Sequence, residues 1–374
     1  MSSNQNTAKI NSFQGLRSIA FLAIFFCHAG LTYSNLGGWG VSVFLVLSGY
    51  LLALRHKDLK CDKAWSAPAF SFNHIKKLYP LHILMLLLGL FGGLTLNLLS
   101  HNEVDFFQTG KFFVVDSFLL QSWIPIRSWY YSINGVSWYL STIAFLYFTF
   151  PYVNKILRRA SVKAYIIMLL LLPAIQYGLS LAFLRYNLGI KNDVYLWAMN
   201  ICPLYRFIDF FSGIILGMLC QKTNKTITTN KLAFYTIIEI VILFASFAGV
   251  WILEKENDNA FVASLLNPSI VFLPTSCLLV FLFGRKEGAL TRALSTKIFV
   301  FIGNISGYAF LIHQLMIQYS KLLISKLVTL SNEIAIKMLS SGIAFIVTVV
   351  LSLLYMFILE KNKKRYYKNE NSAS

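Results

Sequence analysis

Residues 12–55 read SFQGLRSIAFLAIFFCHAG, LTYSNLGGWG and VSVFLVLSGYLLALR. Two apolar runs are joined by a short glycine-rich turn. The first run admits an arginine just inside its start, Arg17, and a histidine eleven residues later, His28. Eleven residues at 3.6 per turn is close to three whole turns, so the two share one helix face, roughly 16 Å apart along the axis. Charged and titratable groups are costly in lipid and usually face a bundle interior or a water-filled cavity. The pair therefore predicts a site built across a bilayer. Spacing alone leaves open that Arg17 snorkels to headgroups and that His28 is only a helix–helix contact.

The rest of the chain agrees with a membrane setting. Of 374 residues, 57% are hydrophobic and 13% charged, whereas soluble domains carry about 25% charged residues. Ten apolar stretches approach bilayer-spanning length, at about 16–34, 40–55, 78–99, 137–156, 163–184, 205–220, 232–252, 261–283, 298–320 and 336–359. The fold class expected is all-α, a polytopic bundle of about ten transmembrane helices. The 33 lysines and arginines divide 24 to nine between alternate connecting segments. By the positive-inside rule both termini are cytoplasmic. The domain reading is one membrane unit, 1–360, followed by a basic cytoplasmic tail, 361–374, without fixed structure.

The net charge of +18 does not point to nucleic acid, because the basic residues lie between the apolar runs. The five cysteines are odd in number and scattered, with no C-x-x-C pair, so neither a disulfide framework nor a metal site is expected. A cleaved signal peptide is disfavoured by Arg17 inside the first run and by the lack of a small-residue cleavage site. In the long outer connection, FFVVDSFLLQSWIPI within 106–126 reads as one interfacial or re-entrant helix. An eleventh span there would invert everything downstream and spoil the charge asymmetry.

Further polar residues mark the spans. Arg206 and Asp209, three apart, fit a structural ion pair. Glu239 has no local partner in sequence, and His313 stands inside the ninth run. Both are candidate cavity liners or helix–helix glue. Cys27 and His28 are adjacent, hence about 100° apart on a helix, which argues against one narrow site holding both.

Six blocks in order carry a resemblance. They are G-L-R at 15–17 with ten residues between the arginine and His28, VSVFLVLSGYLL at 41–52 and KKLYPLH at 76–82. SWYLST at 137–142, PLYRFIDFFSGIILG at 203–217 and GNISGYAFLIHQ at 303–314 complete the set. Together they resemble the acyltransferase-3 family of integral membrane acyltransferases over nearly the whole length. The resemblance implies transfer of an acyl group, most often acetyl, from cytoplasmic acyl-coenzyme A to a sugar hydroxyl. Implied partners are acyl-CoA as co-substrate, a sugar or glycan acceptor that is in some cases lipid-linked, and the lipids of a bacterial cytoplasmic membrane. No permanently bound cofactor and no nucleic acid are implied.

Carried over, His28 is the catalytic histidine and Arg17 its partner at the donor end. Lys76, Lys77 and His74 fall where the family meets the donor. Ser48, Tyr50, Trp138, Tyr139, Arg206, Asp209 and His313 are expected to line the site. Two departures stand out. Many members have two arginines where this chain has His74 and Lys77, which loses the bidentate fork for phosphate. Many also have a glutamate after the W-x-L block, where STIAFLYF has none. An imidazole can act as general base near neutral pH or form an acyl intermediate, and sequence leaves both open. The rival function is a carrier that exports a glycan or small molecule unchanged.

Overall fold

The computed structural model describes residues 11–56, 66–99, 105–185, 193–223, 232–255, 268–327 and 332–373. All regular structure among them is helical. The first half contains α1 (Asn11–His28), α2 (Asn35–Arg55), α3 (Ser66–Ile75), α4 (Tyr79–Leu99), α5 (Phe106–Ser117), α6 (Arg127–Tyr130) and α7 (Trp138–Leu157). The second contains α8 (Val162–Arg185), α9 (Asp193–Asn200), α10 (Pro203–Thr223), α11 (Leu232–Lys255), α12 (Pro268–Arg285), α13 (Ala289–Leu294), α14 (Lys297–Leu327) and α15 (Glu333–Ala373).

Among the described residues, each apolar stretch found in the sequence lies largely on a helix; 261–267, the start of the eighth, lies outside them. Six helical segments are by themselves long and apolar enough to cross a membrane, and a seventh is formed if the bent pair α3–α4 counts as one span. The remaining stretches, on α1, α7 and α12, are helices too. α1 and α7 carry serine, threonine, glutamine and asparagine side chains that the protein interior covers. That polar content holds their mean hydropathy down.

α2 lies at the centre, against α1, α10, α11, α12 and α7. Val43, Leu45, Val46 and Leu47 are all buried, as expected of a helix apolar on every side. Its crossing with α10 is made by two glycines. A Cβ on Gly49 would overlap the carbonyl of Phe210, and one on Gly213 would overlap the carbonyl of Val46. The backbones thus touch, which only small residues allow. α8, α11 and α15 leave large apolar side chains such as Leu170, Phe244 and Ile346 exposed, the surface a bilayer covers.

Three expectations are revised. The segment 106–126 is not a single helix. α5 ends at Ser117, the chain turns through Leu119 at φ 57°, and a 3-10 turn follows at Gln121–Trp123. Twelve residues of α5 span only about 18 Å, too short for an eleventh crossing. The turn is pinned by Ser141, whose hydroxyl donates to Leu119 O at 2.5 Å and is paired with Ser122 Oγ at 2.6 Å. The segment from 361 to 373, expected to lack structure, continues α15 as helix. Glu360 and Lys364 stand four apart there, a helix-supporting spacing. The first helix stops at His28, not near residue 34.

Candidate active site

The stop at His28 follows from HAGL at 28–31. Gly30 adopts φ 68°, the left-handed position that glycine takes at a helix end. Its N–H donates to Cys27 O at 2.9 Å, and the Leu31 N–H donates to Phe26 O at 2.9 Å. This is the Schellman pattern, which makes His28 the last helical residue. The imidazole is therefore at a helix end, exposed, and held against the bundle from one side.

That side is α14. His28 Nδ1 lies 2.7 Å from His313 Nε2, and the two rings are tilted by only 20°. His313 is fully buried, and its Nδ1 lies 2.7 Å from Phe310 O. The rings of Phe21, Phe25 and Phe310 stand about it with centroids 5.9, 6.1 and 5.7 Å away. Two residues 285 positions apart in sequence thus form one imidazole pair, with one member dry and the other wet.

His28 opens onto a cavity of about 610 Å³. Its walls include Asn35, Tyr130, Tyr131, Trp138, Arg206 and Gln314. Aromatic faces with a few amide and cationic donors suit a polar ring-shaped guest. Cys27 lines the same cavity, so the space is wide enough for both neighbours despite their 100° separation. Its thiol is engaged with Ser34 O at 3.1 Å.

The cavity's other wall comes from a segment that sequence reasoning passed over. Residues 131–136 fold back over the bundle end, and Asn134 Nδ2 donates to Leu311 O at 2.9 Å, two residues before His313. Ser132 Oγ contacts both carboxylate oxygens of buried Asp116, at 2.8 and 2.9 Å. The N-G at 134–135 is a turn signal that could have located this fold-back.

Arg206 and Asp209 pair at 3.0 Å, with side chains 3% and 0% exposed. Arg206 Nε also donates to Asn200 O at 2.8 Å, tying α10 to the end of α9. Arg206 reaches the cavity wall; Asp209 stays behind it.

Arg17 does not line this cavity. Three turns back along α1, its Nε donates to Ser306 Oγ at 3.1 Å and its guanidinium lies 5.6 Å from the centre of the Phe44 ring. Tyr139, Tyr147, Tyr308 and Arg55 surround it. Ser48 is in hydrogen-bonding contact with Tyr139 and Tyr147. Arg17, partly buried, makes no ion pair among the described residues. Ser48 and Tyr139 therefore belong to this inner layer and not to the cavity, whereas Trp138 does line the cavity.

The remaining expected residues sit elsewhere. Tyr50 is buried edge-on against Phe13, ring centroids 5.4 Å apart, and does not line the His28 cavity. Its distance from the cavity follows from its place near the far end of α2. His74 Nδ1 is bonded to Phe70 O at 2.7 Å and its ring packs on Phe70, Tyr147 and His56. Lys76 and Lys77 are exposed where α3 bends into α4, at the Arg55 end of the bundle. Lys76 donates to Asn73 Oδ1 at 2.8 Å. Glu239 does not line this cavity; it is buried against α13. Among the described residues no three His, Cys, Asp or Glu side chains gather as a metal site would.

Comparison with known proteins supplies the class of chemistry. A family model described as an acyltransferase domain, acyltransferase-3, matches residues 10–360. Acyltransferase MdmB of Streptomyces mycarofaciens is 24% identical over 334 residues, covering 83% of this chain and 80% of its own. No solved structure matches the chain. With many apolar helices and a match along almost its whole length, the chain belongs to the acyltransferase-3 family and is a multi-pass membrane acyltransferase.

Proposed function

We propose that the protein moves an acyl group, acetyl in the first instance, from acyl-coenzyme A to a hydroxyl of a sugar or glycan seated in the His28 cavity. The observation that carries the reading is an exposed imidazole, backed by a buried one, facing a cavity of about 610 Å³ lined by aromatic and amide groups. The donor approaches from the opposite end, where Arg55, Lys76, Lys77 and His74 gather and partly buried Arg17 makes no ion pair among the described residues. The excess of lysine and arginine on that side supports a cytoplasmic position for it in a bacterial inner membrane, with both termini inside and about ten crossings. The acceptor then enters from the outer face.

His28 acts as general base. As the acceptor oxygen attacks the thioester carbonyl, its proton passes to His28. The carbon–sulfur bond breaks, and the proton goes on to the departing thiolate, leaving an ester and free coenzyme A. A positioned base of this kind contributes about 10²–10⁴-fold.

The test supplies radiolabelled acetyl-coenzyme A to membranes containing the wild type or His28→Ala at matched expression. Label should appear in a surface glycan with the wild type and fall at least about 100-fold with the variant. Equal labelling by the two would remove His28 from the chemistry.

A further inference from the structure

The hydrogen bonds around His313 fix where protons sit. Phe310 O can only accept, so His313 Nδ1, 2.7 Å away, carries the proton. In the neutral ring Nε2 is then a bare acceptor. His28 Nδ1, 2.7 Å from that nitrogen, must in turn be the N–H. What remains on His28 is Nε2, unprotonated.

We infer that His313 is a positioning residue for His28: it selects the tautomer whose free lone pair is on Nε2, and it holds the ring in one orientation at a helix end. The inference rests on His28 being the base. A histidine on an exposed helix terminus would otherwise sample both tautomers and several rotamers, and only one arrangement serves proton transfer. The backbone carbonyl of Phe310 anchors the chain of bonds to a helix that does not turn, and the rings of Phe21, Phe25 and Phe310 keep competing water from His313. When His28 accepts a proton, its Nδ1–H becomes a charge-assisted donor to His313, which strengthens the bond as the proton arrives. His313 itself touches neither substrate.

The discriminating variants are His313→Gln and His313→Met, which match each other in length. Glutamine can place Oε1 near the position of Nε2 and accept from His28; methionine cannot accept comparably. In membranes at matched protein levels, His313→Met should lower kcat about 100-fold with KM for both substrates within about twofold. His313→Gln should recover to within about tenfold of wild type, on the same scale. If Met performs as the wild type while His28→Ala is inactive, the role of His313 is overturned and His28 as base survives. If Gln is as poor as Met, acceptance by residue 313 is overturned. A second measurement needs no variant: side-chain nitrogen-15 spectra of the full chain in lipid should show Nδ1–H on both rings and a bare Nε2 on His28. A proton on His28 Nε2 at neutral pH overturns the assignment.

Discussion

The carboxylate of Glu239, on α11, accepts the backbone N–H of Leu290 at 3.0 Å and so closes the start of α13 from a different helix. Thr291 adds its own N–H at 3.4 Å and its hydroxyl to the same carboxylate. A buried charge is thus met by orphan donors of a helix N-terminus, the favourable end for an anion. Glu239→Leu should lower stability by about 3 kcal/mol or more, since several buried donors lose their acceptor together. Gly288→Ala should act in the same direction, because a Cβ there would lie on top of the Glu239 carboxylate. Thermal unfolding in detergent reads both. An unchanged midpoint for either would mean that α13 is held by other contacts.

The helix end at Gly30 gives a second expectation. Replacing it with alanine puts a Cβ into the left-handed region, at a cost of about 1–2 kcal/mol. The added methyl also meets the Lys337 side chain at 2.8 Å. Because His28 is the last residue of that helix, activity should fall further than stability. Parallel measurement of acyl transfer and unfolding midpoint in Gly30→Ala separates the two. Proportionate losses would speak against a special dependence of His28 on this cap.

For the buried ion pair, removing one partner strands the other. Arg206→Met leaves Asp209 without its cation and should cost about 3–5 kcal/mol. The double variant Arg206→Met with Asp209→Leu should recover much of that stability yet leave transfer impaired, since Arg206 also forms cavity wall. Urea titration and activity of the single and double variants check this. A double variant less stable than Arg206→Met alone would contradict it.

Asp116 should make the cap formed by residues 105–136 sensitive to pH. It lies on α5, outside the candidate spans, and burial pushes its carboxyl up to about 8, against the hydroxyl of Ser132. An unfolded aspartate titrates near 4. Between those values the folded cap binds a proton that the unfolded one does not, so stability falls as pH rises from about 4 to about 8. Asp116→Asn should flatten that slope while keeping an acceptor for Ser132. Protease resistance of residues 105–136 against pH, in wild type and variant, measures it. An identical slope in both would clear Asp116 of the effect.

What the sequence made legible follows from local physics. Apolar runs located the helices, and eleven-residue spacing put Arg17 and His28 on one unbroken helix. Arg206 and Asp209 were also legible, being three apart. The helix end at Gly30 was written in HAGL but outweighed by the apolar residues around it. The partners of His28 and Glu239 were hidden for another reason. His313 is 285 residues away and Leu290 is 51 residues away, and no periodicity relates such positions. The fold-back of 131–136 is hidden from sequence because its buried polar groups, Asn134 and Ser132, find their partners only after the chain has turned.

α1 runs without a break from Arg17 to its last residue. The guanidinium and the imidazole are thus fixed points on a rigid ruler about three turns long, with no hinge to shorten it. On the proposed reading, with the donor at Arg17 and the acceptor at His28, the gap between them must be bridged by the donor itself. The rod cannot yield, so on that reading the separation is a fixed length for whatever the donor carries.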